Sequence, residues 1–199
     1  MDVEANLARL EVLLEEVVGT GADVVFLPEN WAAFANREGR VIGEVEAGPA
    51  PRVRNHVAAL AAQHGVWIAA GTIPVAARPD GVAVAGIRTR AASFVFDSTG
   101  AEIARYDKIH MFDVDVVDAV RRYRESERFE PGNAIVTLDS PVGHLGLTVC
   151  YDLRFAEVYR ELALREVAVI AAPSAFTEVT GEAHFELLVR ARAIETQAY

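Results

Sequence analysis

Residues 145–155 read LGLTVCYDLRF, an apolar run that turns polar at Cys150 and leads into a helical pattern. The run predicts a buried strand that ends at the cysteine. A thiol at the carboxyl end of a buried strand, facing the start of a helix, is well placed for nucleophilic attack. A lone cysteine in an apolar run is, however, more often an inert core residue. This stretch alone therefore leaves a catalytic and a structural interpretation open.

Two further predicted strands end in the same abrupt way, at a charged residue. Residues 23–30 read DVVFLPEN, so that an apolar run meets Pro28 and Glu29. A carboxylate at the rim of a sheet suits a general base, although most single glutamates are solvated loop residues. Residues 101–113 read AEIARYDKIHMFD and place Lys108 just after a strand pattern. A single lysine in that position would ordinarily be a surface residue.

Taken together, these strand ends predict one reactive site. Cys150, Glu29 and Lys108 supply a nucleophile, a base and a cation from separate strands. A cationic neighbour lowers the pKa of a thiol, and a carboxylate can accept its proton. The same lysine could then stabilise the oxyanion of a tetrahedral intermediate.

The motifs and their order resemble the nitrilase, or carbon-nitrogen hydrolase, superfamily. The chain has PEN at 28–30, KIHMFDVD at 108–115 and CYDLRF at 150–155. The resemblance continues through ESERFEPG at 125–132 and PSAFTEVTGEAHFELLVRARAIETQ at 173–197. It implies a four-layer α-β-β-α sandwich, and no metal or organic cofactor.

The resemblance also implies a role for each motif residue. Glu29, Lys108 and Cys150 correspond to the catalytic triad of the superfamily. Glu125 corresponds to a further glutamate that orients the lysine and tunes its proton balance. Glu127 could be mistaken for it, and we interpret Glu127 as a solvated charge. His110, within the lysine motif, is expected to support Lys108 structurally and not to act as a base.

The implied reaction is the hydrolysis of an amide through a thioester. Glu29 takes the thiol proton of Cys150, and the sulfur attacks the amide carbonyl carbon. Lys108 and the backbone N–H of Tyr151 are expected to stabilise the oxyanion. Glu29 then protonates the departing amine and activates the water that hydrolyses the thioester. The products are a carboxylic acid and ammonia.

The substrate is expected to be a small amide that carries a carboxylate. The motifs are most similar to the Nit branch, whose amidases act on deaminated glutathione, with omega-amidases as relatives; hydrolysis of N-carbamoyl amino acids is a further possibility. An arginine could bind the substrate carboxylate through a bidentate pair. A solvated face is the simpler interpretation of the arginine-rich run that begins at residue 121. The candidates are Arg121, Arg122, Arg124, Arg128 and Arg154.

A non-catalytic, dimer-forming remnant is the alternative hypothesis. Members of the superfamily associate through the helix after the cysteine and the helix near 182–196, which implies a homodimer. In the helix after the cysteine, an apolar stripe would suit such a contact or an ordinary core; it comprises Phe155, Val158, Tyr159 and Leu162.

Composition excludes several classes of partner. The formal net charge of -10 argues against binding to nucleic acid or to an anionic membrane. One cysteine among 199 residues cannot form an internal disulfide, so a cytoplasmic location is expected. The five histidines are scattered without the spacing of metal ligands, so no metal site is predicted.

Hydrophobic periodicity predicts an α/β layered fold with one domain over 1–199. The superfamily resemblance implies that the usual first strand and the C-terminal strands are lacking, so we expect an incomplete sandwich. The predicted helices are 3–18, 52–63, 155–165 and 182–196. The predicted strands are 23–27, 66–71, 91–97, 101–106, 134–138, 144–150 and 167–171.

Overall fold

The computed structural model describes residues 2–33, 39–116 and 120–199. Its helices are α1 (Val3–Val18), α2 (Gly39–Ala47), α3 (Arg52–His64), α4 (Ala156–Leu164) and α5 (Glu178–Thr196). Its strands are β1 (Val24–Phe26), β2 (Trp67–Ala69), β3 (Ile73–Val75), β4 (Arg90–Phe96), β5 (Glu102–Asp107), β6 (Asp113–Asp115), β7 (Arg122–Arg124), β8 (Thr137–Ser140), β9 (Gly143–Leu147) and β10 (Val169–Ala171). Short 3-10 turns cover Glu125–Glu127 and Cys150–Arg154.

The first sheet contains β1 to β5. β1 and β2 pair in parallel. β2 and β3 both pair with the same edge of β4, at its two ends, and both are antiparallel to β4. β5 pairs with the other side of β4, and residues 97–100 form the turn between them. Asp97 closes this turn because its Oδ1 accepts hydrogen bonds from the backbone N–H groups of Thr99 and Ala101.

The second sheet has the order β10-β9-β8. β10 is parallel to β9 and β8 is antiparallel to it. A separate two-stranded ribbon is formed by β6 and β7. None of the helices among the described residues is long and apolar enough to cross a membrane.

Four layers result from how these elements bury their apolar faces. Side chains alternate along β2 and β4, so Ile68 and Phe94 face the helices while Ala69 and Val95 face the second sheet. The outer face of the first sheet is covered by α1 and α3, and that of the second by α4. The predicted four-layer α-β-β-α sandwich is therefore confirmed. Residues that fill the outer helical layers include Leu7, Leu10, Leu14, Val57, Leu60, Val158 and Leu162.

Several elements differ from the sequence prediction. The predicted strand 144–150 ends at Leu147, because Cys150 adopts φ +47° and opens a 3-10 turn. The predicted strand 134–138 is shifted to Thr137–Ser140. The helix predicted from 182 begins at Glu178, where the Thr177 hydroxyl accepts a hydrogen bond from Thr180 N. α2, β3, β6 and β7 were not predicted. The three strands have only three residues each, which is too short to show a period. Residues 117–119, shortly before the arginines at 121–128, lie outside the described residues.

Gly71 allows the first sheet to approach the turn after β1. It has φ +54°, and a Cβ there would overlap the carbonyl oxygen of Pro28. Gly81 has φ +83° with nothing within 4 Å of such a Cβ. Both positions use the left-handed backbone region, but only Gly71 also faces a steric barrier.

We expect Gly71→Ala to destabilise the protein by about 3 kcal/mol, because backbone strain and a clash with Pro28 add together. Gly81→Ala is the matched control and should lose only about 1 kcal/mol, from backbone strain alone. Urea unfolding of both variants measures the difference. Equal losses would contradict the close approach at Pro28.

Candidate active site

Glu29 lies in the turn that follows β1, and its carboxylate is buried. Oε1 accepts a hydrogen bond from Lys108 Nζ at 2.9 Å, and Oε2 accepts one from the backbone N–H of Ala175 at 2.9 Å. The turn itself is fixed because the next residue, Asn30, donates its backbone N–H to the Thr72 hydroxyl at 2.8 Å. Both carboxylate oxygens are thus held by groups from other parts of the chain.

Lys108 follows β5, and only 1% of its side chain is exposed. Besides Glu29, its Nζ contacts both carboxylate oxygens of Glu125, at 2.8 and 2.9 Å. The backbone N–H of Lys108 donates to the Ala91 carbonyl at 3.0 Å, and its carbonyl accepts from Gly132 N at 2.8 Å. The ammonium group is therefore fixed by two carboxylates and by a rigid backbone.

Glu125 begins the 3-10 turn after β7. Its Oε2 also accepts a hydrogen bond from the backbone N–H of Phe112 at 2.6 Å. Burial raises the pKa of Glu125, and the nearby Lys108 opposes that effect. Burial alone would lower the pKa of Lys108, but the charges of Glu29 and Glu125 outweigh it and keep this pKa above its ordinary value. The lysine therefore stays charged.

Cys150 is buried at the start of the turn that follows β9. Its backbone N–H donates to the Pro173 carbonyl at 2.9 Å, and its φ of +47° is uncommon for a residue with a side chain. Such a conformation persists only where the surroundings enforce it.

Glu29 lines the same cleft as Cys150 and its charge acts on the thiol, whose pKa is raised above its ordinary value. Burial raises this pKa above the ordinary value, Glu29 raises it further, and Lys108 only partly offsets both effects. Lys108 thus lowers the pKa of the thiol as expected, but burial and Glu29 outweigh it, so the net shift is upward. The reason is electrostatic, because two carboxylates and one ammonium already give the buried cluster a net negative charge.

An open cleft of about 1080 Å³ contains this cluster. Glu29, Lys108, Glu125 and Cys150 all contribute to its lining, so the structure brings the predicted residues together. Aromatic rings form much of the remaining wall, namely Phe112, Tyr123, Phe129, Tyr151 and Phe176. The polar part of the rim includes Arg122, Arg124, Glu127 and Arg128.

Tyr151 and Arg154 occupy different positions relative to the cleft. Tyr151 lines it, and among the described residues its backbone N–H has no hydrogen-bond acceptor. The Arg154 guanidinium lies over the rings of Tyr151 and Phe176, 5.7 and 5.5 Å from their centroids, and contacts His184. Arg154 is not part of the cleft lining that the structure describes. Its role toward a substrate carboxylate stays a prediction.

Sequence reasoning missed several groups at the site. The Ala175 N–H contact to Glu29 was not predicted, because a backbone donor leaves no residue-type signal. Asp152 was considered only as part of the CYDLRF motif, although a carboxylate just after an apolar run could have indicated a buried charge. Glu127 is exposed, and His110 contacts Asp152 through both its backbone N–H and its Nδ1.

Comparisons with known proteins agree with this geometry. The sequence model of the carbon-nitrogen hydrolase family matches residues 1–199. The chain is 43% identical to deaminated glutathione amidase of Yersinia enterocolitica, over 96% of this chain and 65% of that protein. It is 35% identical to omega-amidase NIT2 of Danio rerio, over 98% of this chain and 66% of that protein. The chain thus spans about two thirds of the length of these relatives.

A solved structure confirms the fold independently. The chain superposes with a TM-score of 0.82 on Nit3 of Saccharomyces cerevisiae, a member of branch 10 of the nitrilase superfamily. The two are 29% identical, and the match covers 99% of this chain and 68% of that one. From its sequence match and its four-layer fold, this chain belongs to the carbon-nitrogen hydrolase family of the nitrilase superfamily.

Proposed function

We propose that this chain hydrolyses the amide C–N bond of a small carboxylate-bearing molecule, with Cys150 as the nucleophile. The contact of Lys108 Nζ with both Glu29 and Glu125, in the cleft that Cys150 also lines, carries this proposal. Membership of the carbon-nitrogen hydrolase family supports it. We also propose that residues 1–199 act as one domain.

The first step is thiol deprotonation coupled to attack. Because the pKa of Cys150 is raised, the thiol is neutral before substrate binds. Glu29, which lines the cleft beside the thiol, accepts its proton as the sulfur forms a bond to the amide carbonyl carbon. The negative charge passes from the glutamate to the former carbonyl oxygen. The total charge of the buried site therefore does not rise during attack.

The oxyanion is stabilised by Lys108 and by the backbone N–H of Tyr151. Lys108 remains protonated because Glu29 and Glu125 raise its pKa. When Glu29 becomes neutral, the ammonium loses one of its ionic partners and can pair with the new oxyanion. One donor of this kind is worth about 3–4 kcal/mol of barrier. Glu125 keeps the lysine in place throughout.

The second half of the reaction returns the site to its starting state. Glu29 gives its proton to the leaving nitrogen, the C–N bond breaks, and a thioester remains on Cys150. Glu29 then takes a proton from water, which attacks the thioester carbonyl and releases a carboxylic acid. The thiolate regains the proton as it leaves. No step of this scheme uses a metal or organic cofactor.

The substrate class follows from the cleft lining and from the relatives. Arg122 and Arg128 line the cleft, and an arginine binds a carboxylate through two parallel hydrogen bonds. The aromatic wall suits an extended apolar portion of the substrate. Because one relative is named deaminated glutathione amidase, we propose deaminated glutathione as the first candidate. Omega-amides of 2-oxo dicarboxylates and N-carbamoyl amino acids are the other members of the test panel.

A cytoplasmic homodimer is the proposed form of the enzyme. The single cysteine is compatible with a reducing compartment. Large apolar side chains on α4 and α5 are exposed, including Leu164 at 67%, Leu187 at 67% and Ile194 at 75%. A partner that covers them would bury an apolar surface that is otherwise unfavourable in water.

The activity should depend on Cys150 and Glu29. We expect amide hydrolysis, measured as carboxylic acid and amine or ammonia released from the panel, to fall to background in Cys150→Ala. Glu29→Gln should lose at least about a hundredfold, since it removes a general base. Glu186→Gln, a change on the exposed face of α5, is the control and should retain wild-type turnover. Equal turnover by wild type and Cys150→Ala would overturn the mechanism.

The ion cluster should also contribute to stability. Lys108→Met leaves two buried carboxylates without a counter-ion, so we expect a loss of about 3–5 kcal/mol in the free energy of unfolding at neutral pH. The loss should shrink as pH falls, because the raised pKa of Glu125 lets it become neutral in mild acid. Urea unfolding at two pH values measures both effects. Arg52→Met removes only the exposed pair with Glu4 on the outer helices and should change little.

The proposed association can be checked by sedimentation equilibrium. We expect a mass near twice the 21.6 kDa of the chain. Changing Leu187 and Ile194 to glutamate should shift the equilibrium toward monomer, because charges resist burial at an apolar interface. A wild-type protein that remains monomeric at all concentrations would contradict the proposal.

A further inference from the structure

Asp152 is a buried carboxylate that the proposed reaction does not use. Its side chain has no exposed surface, and it is absent from the described cleft lining. Oδ1 accepts hydrogen bonds from His110 N at 3.0 Å and from His110 Nδ1 at 2.8 Å. Oδ2 accepts from the Tyr106 hydroxyl at 2.7 Å and from Val149 N at 2.9 Å. Four donors therefore converge on a group that is expensive to bury.

These donors share a relation to the reactive residues. Tyr106 and His110 lie two positions before and two positions after Lys108 in the chain. Val149 directly precedes Cys150, and Asp152 itself follows Cys150 by two positions. The Asp152 carboxylate thus links the residues that flank Lys108 to the residues that flank Cys150.

The turn that presents Cys150 is closed by the same group. The backbone N–H of Asp152 donates to the Val149 carbonyl at 3.0 Å. The Asp152 side chain in turn accepts a hydrogen bond from the backbone N–H of Val149. The turn encloses Cys150 in its φ +47° conformation. On the other side, the His110 ring stacks on Phe155, with 3.5 Å between centroids. His110 is therefore held at both ends by the turn that carries the thiol.

We infer that Asp152 is a positioning residue that sets the separation between Lys108 Nζ and the Cys150 thiol. The inference rests on the proposed function only where it predicts a loss of turnover. Lys108 and Cys150 come from different sheets, and no described hydrogen bond joins their side chains directly. Asp152 links their backbones, so a change there should alter how strongly the ammonium acts on the sulfur. A purely structural role would lower stability without altering that electrostatic interaction.

Asp152→Asn tests this inference with little change in shape. An asparagine has one acceptor oxygen and one NH2 group, so it cannot accept from His110, Tyr106 and Val149 together. Asp139→Asn is the matched control, because Asp139 also contacts a histidine, His144, at 2.9 Å but is 98% exposed. Because Cys150 is the only cysteine, iodoacetamide labelling reports on this thiol alone.

The first measurement is the labelling rate of the folded proteins at one fixed pH of about 8, where only a small fraction of the thiol is ionised. Lys108 lowers the pKa of Cys150, so moving the lysine away should reduce the thiolate fraction. We expect Asp152→Asn to react about tenfold more slowly than the wild type. Asp139→Asn should keep the wild-type rate. A folded Asp152→Asn that is labelled at the wild-type rate or faster would overturn the inference.

The second measurement is steady-state hydrolysis of the best panel substrate. We expect Asp152→Asn to lower kcat at least about tenfold while KM stays within about twofold, because positioning acts on the transition state. If Asp152→Asn fails to fold, Tyr106→Phe decides, since it removes a single donor. Its labelling rate at the same pH should fall below the wild-type rate, and an unchanged rate would refute the inference. A wild-type protein without hydrolysis would refute the proposed function alone, because labelling requires no substrate.

Discussion

The ammonium group of Lys108, buried between Glu29 and Glu125, is the interaction on which the site depends. An ammonium with 1% exposure is stable only with negative partners, and each partner comes from a different connection. Glu29 follows β1 and Glu125 follows the ribbon β6–β7. The positive charge of Lys108 must be compensated, so the loops that carry Lys108, Glu29 and Glu125 have to end close together. The cleft exists because those loops meet there.

This arrangement also explains why a neutral thiol suits the chemistry. A thiolate would add a second net negative charge to a site with low exposure, so burial and Glu29 hold the proton on Cys150. In the proposed scheme the cysteine becomes reactive only when a carbonyl is present to receive the charge, and the lysine serves the oxyanion more than the resting thiol. The same electrostatics should protect the thiol against oxidation, since the thiolate is the reactive form.

Much of the fold and of the candidate site could be predicted from the sequence. The features that could not be predicted were missed for physical reasons. The strand ends at Glu29 and Cys150 were visible because long apolar runs stop at charged or polar residues. The alternation of helices and strands predicted an α/β layered fold, whereas the four layers were implied only by the resemblance to the nitrilase superfamily. The ribbon β6–β7 was not visible, because three-residue strands leave no measurable period. The raised pKa of Cys150 was missed, since it depends on how many carboxylates share the pocket, which only the folded distances reveal.

The origin of the reactive groups in two different sheets has a consequence for how this fold can vary. Glu29 and Lys108 follow strands of the first sheet, whereas Cys150 follows β9 of the second. The packed layer between the sheets, which includes Val95 and Leu147, therefore sets the spacing between the proposed nucleophile and the proposed base. In the proposed mechanism, a bulkier or smaller side chain there would shift one sheet against the other and change the distance between the reacting atoms. Apolar residues of this interior layer should then affect turnover more than the apolar residues under the outer helices.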